Sequence, residues 1–164
     1  MDIFSRTNAR LSRWSMLLAC ICLVGLLGVV IYGVVLRYVF NDAPPYVEQV
    51  ALLLVVSVAM FGASAGVRDA GHIGLDSLVK VLPDVVQFWC KFVVHSLVIA
   101  FAVALFFGGA LMAISTHAST IPTLGISEAV RYIPVLISGV LIASFSVEHI
   151  LAQMGGTKVI PSWH

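Results

Sequence analysis

The chain has 164 residues, of which 60% are hydrophobic and only 10% are charged, and its formal net charge at pH 7 is +1. Average soluble proteins carry roughly 45–50% apolar and about 25% charged residues, so this composition excludes an ordinary soluble domain. The near-zero net charge also argues against a nucleic-acid-binding protein, which usually presents a basic face. We therefore predict an integral membrane protein.

Four apolar stretches are long enough to cross a bilayer. At about 1.5 Å of rise per residue, a helix of about 20 residues covers a hydrocarbon core that is ~30 Å thick. A segment in lipid must satisfy its own backbone hydrogen bonds, and such runs do so as helices. The sequence predicts an all-α membrane protein, a single domain over residues 1–164, with spans at about 14–36, 46–67, 92–114 and 131–151.

An amphipathic segment at about 73–90 separates the second and third predicted spans. Its apolar positions are Leu75, Leu78, Val79, Leu82, Val85, Val86 and Trp89. Its polar positions are Asp76, Lys80, Asp84 and Gln87. This spacing is helical, with a break or bend near Pro83. It predicts a helix that lies along the membrane interface or packs on a partner.

The basic residues predict the orientation of the chain. With a cytoplasmic N-terminus, seven of the nine Lys and Arg residues fall on the cytoplasmic side, and only Arg37 and Arg131 fall outside. This distribution agrees with the excess of basic residues that cytoplasmic loops carry. We therefore expect both termini in the cytoplasm and the loop between the first two spans on the outer face.

That outer loop contains the stretch LRYVFNDAPPYVEQ at 36–49. Arg37 can extend to the lipid headgroups between aromatic neighbours, and Glu48 suits the positive end of the second helix. The two side chains are eleven residues apart across a tight hairpin and could pair. Asn41 or Asp42 could cap the second helix, and either of the two prolines fits its first turn.

Small residues recur at helical spacing within the predicted spans, in the stretch Gly62–Gly66, in Ala100, Ala104 and Gly108, and in Gly139 and Ala143. Such residues let membrane helices approach closely. None of the spans has an ionisable residue at its middle, where an ion or proton pathway usually needs one. We therefore expect neither an enzyme nor a cofactor-binding chain.

Two other classes of protein remain as alternatives. His95 and His149 could lie at similar depth, and paired histidines in a four-helix bundle can hold haem, as in the anchor of a respiratory enzyme. A small autonomous exporter that works as a dimer is the second alternative. That class usually places a carboxylate within a span, and none is central here.

The hairpin resembles the signature of the small membrane subunit of TRAP transporters (tripartite ATP-independent periplasmic transporters), the DctQ-like family. That family shows R-Y-x-F-N, then a proline, an aromatic and an acidic residue, which here are Arg37, Tyr38, Phe40, Asn41, Pro45, Tyr46 and Glu48. A second block is similar to the family's end of span two, with Gly62, Arg68, His72, Ile73, Asp76, Leu82 and Pro83. A third block, at 123–139, resembles the family's entry into span four.

The resemblance implies a scaffold subunit in a bacterial inner membrane. In this family a larger polytopic subunit holds the substrate and sodium sites, and a periplasmic binding protein captures the substrate, usually an organic acid. The seven hairpin residues would then stabilise the outer hairpin and its contact with the large subunit. Arg68, His72 and Asp76 would do the same on the inner side of the membrane. Asp42 and Glu128, in outer loops, are candidate contacts for the binding protein.

Overall fold

The computed structural model describes residues 2–69, 83–122 and 125–155. Its elements are α1 (Asp2–Val39), α2 (Pro45–Asp69), α3 (Asp84–Thr116), β1 (Thr120–Ile121), β2 (Ile126–Ser127), a 3-10 helix (Glu128–Tyr132) and α4 (Ile133–Met154). Within these ranges, four helices are long and apolar enough to cross a membrane. The predicted all-α membrane fold with four spans is confirmed.

The first and third helices are longer than the predicted spans. The 38 residues of α1 extend about 57 Å, more than a bilayer core requires, so this helix continues beyond the hydrocarbon. Residues 84–90, the end of the predicted amphipathic segment, are instead the first turns of α3. Pro83 precedes this helix, and its carbonyl accepts hydrogen bonds from Val86 and Gln87 at 2.9 and 3.0 Å. The rest of the amphipathic segment lies outside the described residues.

The helices pack side by side in the order α1, α2, α4, α3. The bundle has two ends. The terminal end contains the start of α1, the end of α2, the start of α3 and the end of α4; the hairpin end contains the α1–α2 connection and the β1–β2 hairpin. Buried side chains of α1 and α2 concentrate toward the terminal end, for example Ala19, Phe61 and Ala65. Toward the hairpin end the faces of α1 are open to lipid or to a partner.

A glycine sets the closest approach of α3 and α4. A Cβ atom at Gly139 would lie 3.2 Å from the Ala102 carbonyl oxygen and 3.3 Å from the backbone nitrogen of Phe106. The predicted role of Gly139 in close packing is thus confirmed. The other glycines of these stripes, and two of the alanines, do not pack in this way. Gly62, Gly66 and Gly108 have open space at their Cα atoms, and Ala100 and Ala104 are exposed.

Candidate functional site

The first turns of α1 present a polar face to the rest of the bundle. Ser5, Asn8 and Ser12 follow the helical spacing that places residues on one side. Asn8 is 2% exposed and Ser12 is fully buried. The arginines at positions 6, 10 and 13 are exposed on the remaining surface of α1. The N-terminal part of α1 is therefore a docked element whose polar side faces inward.

That polar face contacts a buried ion-pair group formed by Arg68, Asp69 and Glu148. The Arg68 guanidinium holds Glu148 through two bonds, from Nε to Oε2 at 3.1 Å and from Nη2 to Oε1 at 3.0 Å. Its Nη1 donates to Asp69 Oδ1 at 2.9 Å. The exposed fractions of these side chains are 1%, 0% and 4% respectively. A two-pronged arginine–carboxylate contact is strong and geometrically specific.

Hydroxyl and amide groups complete the network. Ser5 Oγ donates to Glu148 Oε1 at 2.8 Å, and Ser12 Oγ donates to Asp69 Oδ2. Asn8 and Ser144 bond to each other, with Ser144 Oγ 3.1 Å from Asn8 Oδ1. We refer to the following residues as the terminal polar cluster: Ser5, Asn8, Ser12, Arg68, Asp69, Ser144 and Glu148.

The cluster joins α1, α2 and α4 at one level of the bundle, its terminal end. Removing charges from water is costly, and they remain buried only where ion pairs and hydrogen bonds compensate them. Because each of the three helices supplies groups to the network, sliding any one of them would leave buried polar groups without their bonds. The terminal polar cluster therefore fixes the relative register of these three helices.

Two histidines lie beside the cluster in a stacked arrangement. The rings of His95 and His149 are 4.8 Å apart between centroids and 6° from parallel. His149 Nε2 lies 3.0 Å from the Arg68 carbonyl oxygen, which can only accept, so this nitrogen carries the proton. Axial haem ligands approach the iron edge-on from opposite faces. Rings that contact each other face to face do not fit that geometry.

The sequence predicted that Arg68, His72 and Asp76 support the inner side of the subunit. The structure describes only the first of these residues. Arg68 lies inside the chain, bonded to Asp69 and Glu148, so its side chain is not on a partner-facing surface of the described bundle. His72 and Asp76 lie outside the described residues. The pairing of Arg68 with Glu148 was not predicted from the sequence. Each is an ionisable residue at the end of an apolar run, which marks both as candidates for an ion pair, but nothing in the sequence shows that they are partners.

At the hairpin end, Arg37 and Glu48 form the predicted pair. Arg37 Nη2 is 3.7 Å from Glu48 Oε1, and the side chains are 61% and 74% exposed. In water a pair this exposed stabilises a protein by about 0–1 kcal/mol. Asn41 has the left-handed φ of 50° and turns the chain after α1. The expectation that Asn41 or Asp42 caps α2 is wrong, because Pro44 is the residue that precedes Pro45, the first residue of α2.

The aromatic residues of the hairpin surround this pair without being buried. Tyr38 is 80% exposed and Phe40 is 67% exposed. The hydroxyls of Tyr32 and Tyr46 are 3.3 Å apart and link α1 to α2. Tyrosines at this level suit a membrane–water interface, where an apolar ring and a polar tip each find their preferred surroundings.

A second contact at the hairpin end ties α2 to the entry of α4. Arg131 donates from Nη2 to Gln49 Oε1 at 2.8 Å and from Nη1 to Glu128 Oε1 at 3.3 Å. Glu128 is only partly exposed, with 35% of its side chain open, whereas Asp42 is exposed. Of the two predicted binding-protein contacts, Asp42 is therefore the more accessible.

Sequence comparisons identify the family to which this fold belongs. The profile of the family described as "Tripartite ATP-independent periplasmic transporters, DctQ component" matches residues 26–156. One relative, a "Putative TRAP transporter small permease protein" of Haemophilus influenzae, is 22% identical over 136 residues, which cover 82% of this chain and 84% of the relative. A second protein of the same name and organism is 24% identical over 123 residues, covering 75% of this chain and 74% of that relative. The chain belongs to the DctQ component family of the TRAP transporters.

Proposed function

We propose that this chain is the scaffold subunit of a sodium-coupled TRAP transporter for organic-acid uptake. It braces a large polytopic transport subunit in the bacterial inner membrane and helps to dock a periplasmic substrate-binding protein. Both termini lie in the cytoplasm, so that the terminal end faces the cytoplasm and the hairpin end faces the periplasm. Family membership supports the role of a small permease, and the distribution of basic residues supports the orientation.

The observation that carries the proposal is the terminal polar cluster. Among the described residues, Arg68, Asp69 and Glu148 are the buried charged side chains. They bond to one another and to α1. This arrangement favours a rigid support over a pathway that carries ions across the membrane. An ion pathway would require charged groups that exchange partners with the ion. The open apolar faces of the long helices offer surface to a partner subunit.

Replacing Arg37 should abolish uptake while the chain itself remains stable. The Arg37–Glu48 pair is largely exposed, so Arg37→Ala should leave the chain inserted and folded. If the hairpin contacts the large subunit, we expect uptake by the reconstituted transporter to be abolished. Uptake of radiolabelled substrate into cells or vesicles, together with recovery of the large subunit in a pull-down, measures both effects.

Two variants control this experiment. Arg10→Ala removes an exposed arginine from the opposite end of α1 and should leave uptake normal. The exchange Arg37→Glu with Glu48→Arg restores a pair across the hairpin and should recover uptake if the pair itself sets the hairpin's shape. Normal uptake and normal assembly in Arg37→Ala would contradict the proposed role of the hairpin.

Docking of the binding protein should depend on charge in the periplasmic loops. Asp42 is exposed beside the hairpin turn, and reversing its charge in Asp42→Lys should change the association rate with the binding protein about tenfold at low salt. Surface plasmon resonance on the reconstituted membrane pair would measure this rate. Glu128→Lys is the second test variant, and Glu128→Gln separates the charge effect from the loss of its bond to Arg131. Association that is unchanged in both reversals would remove these loops from the docking surface.

A further inference from the structure

A groove opens between α1 and α2 at the hairpin end. Its volume is about 300 Å³, and its walls include Val30, Val34 and Ala51, with Arg37 and Glu48 at its charged mouth. The groove is thus apolar along its length and charged where it opens.

A glycine lets the two helices approach closely at this level. A Cβ atom at Gly33 would lie 2.7 Å from Val47 Cγ1, so a larger residue here would require the Val47 side chain or the helices to shift. Both residues line the groove. The groove is therefore bounded by two helices whose spacing is set by direct contact.

The mouth of the groove carries one donor group and one acceptor group. Arg37 and Glu48 meet through a nitrogen–oxygen distance of 3.7 Å and remain mostly exposed. The guanidinium has five N–H donors, and the carboxylate has two acceptor oxygens. A long contact of this kind leaves donors and acceptors available to a ligand that carries an anion and a cation together.

We propose that this groove binds a phospholipid whose headgroup carries both a phosphate and a primary ammonium, as in phosphatidylethanolamine. The Arg37 guanidinium donates to the phosphate oxygens, and the lipid ammonium donates to the Glu48 carboxylate. An acyl chain follows the apolar wall formed by Val30 and Val34. The interfacial tyrosines around the hairpin place this mouth at headgroup level, whichever face of the membrane it occupies.

The chemistry of the mouth distinguishes this lipid from others. Phosphatidylglycerol offers the phosphate but no ammonium, so Glu48 would repel it. Phosphatidylcholine carries a quaternary ammonium that has no N–H to donate to Glu48. A headgroup with a primary ammonium satisfies both side chains at once.

Native mass spectrometry of the full-length purified chain tests the proposal. The chain is exchanged in mild detergent into an equimolar mixture of phosphatidylethanolamine, phosphatidylglycerol and phosphatidylcholine, and the retained lipid is identified. We expect preferential retention of phosphatidylethanolamine. Arg37→Gln should weaken that retention about tenfold, the change expected from losing a hydrogen bond to a charged group. Glu48→Gln should remove the preference over phosphatidylglycerol while lipid is still retained.

Arg10→Gln is the matched control, because it removes an exposed arginine of α1 far from the groove; tryptophan fluorescence checks that each variant is folded. Retention without lipid preference, or retention that is the same in Arg37→Gln and Glu48→Gln as in the unaltered chain, would overturn the proposal. So would a photo-crosslinker at Val34 that labels a protein partner in membranes and no phospholipid. This readout does not depend on transport and therefore stands apart from the proposed function.

Discussion

Arg68→Met should destabilise the isolated chain by about 3–5 kcal/mol, the range for breaking a buried ion pair by removing one partner. The substitution preserves much of the side-chain volume but removes the guanidinium that Asp69 and Glu148 share. Two carboxylates would then be buried without that cation. Unfolding by sodium dodecyl sulfate in mixed micelles, followed by tryptophan fluorescence, gives the free energy of unfolding.

A double-mutant cycle separates the ion pair from general damage. Glu148→Met alone should also destabilise the chain, because the buried Arg68 guanidinium then loses the carboxylate to which it donates two hydrogen bonds. The double variant should be more stable than Arg68→Met alone, since it buries one carboxylate fewer. Such non-additivity is typical of residues in direct contact.

Arg10→Met is the control for the loss of an arginine as such. Arg10 is exposed on α1 and should change the free energy of unfolding by no more than about 0.5 kcal/mol. If Arg68→Met matched this control, or if the Arg68 and Glu148 effects simply added, the terminal polar cluster would not hold the helices together.

The sequence predicted the spans well because lipid leaves few alternatives for long apolar runs. The hairpin pair between Arg37 and Glu48 was also predictable, since a tight connection brings the two flanking helix ends together. The sequence predicted the ends of the helices less well, because a helix can continue past the apolar run that crosses the bilayer. The continuation of α1 to Asp2 is an example.

The contacts of the terminal polar cluster required the structure. Arg68 and Glu148 are eighty residues apart, and no local pattern pairs them. Ser5, Asn8 and Ser12 lie in a segment that resembles a polar, basic terminus, yet their spacing defines one helix face. The function of such a face can be assigned only when the groups it bonds to, here Asp69 and Glu148, are known. The glycines show the same limit, since periodicity did not distinguish the packed Gly139 from the open Gly108.

Gly139 and Gly108 differ in the space that a side chain would have at each position. Gly139→Leu should destabilise the chain by about 1–3 kcal/mol or more, the range for overpacking a well-packed contact. A Cβ atom at this position would lie 3.2–3.3 Å from backbone atoms of Ala102 and Phe106. Backbone of a neighbouring helix cannot move aside as a flexible side chain can. The expected result is separation of α3 from α4, measured as a lower free energy of unfolding in the same micelle assay.

Gly108→Leu is the matched control on the facing helix. Its Cα has open space, so leucine should be accommodated there, with a gain of up to about 1 kcal/mol from the higher helix propensity of leucine. The contrast between the two variants isolates close packing from propensity, because both replace a helical glycine by the same residue. Gly139→Ala should fall between them. Equal effects at the two positions would show that the contact between Gly139 and Ala102 does not determine how α3 and α4 pack.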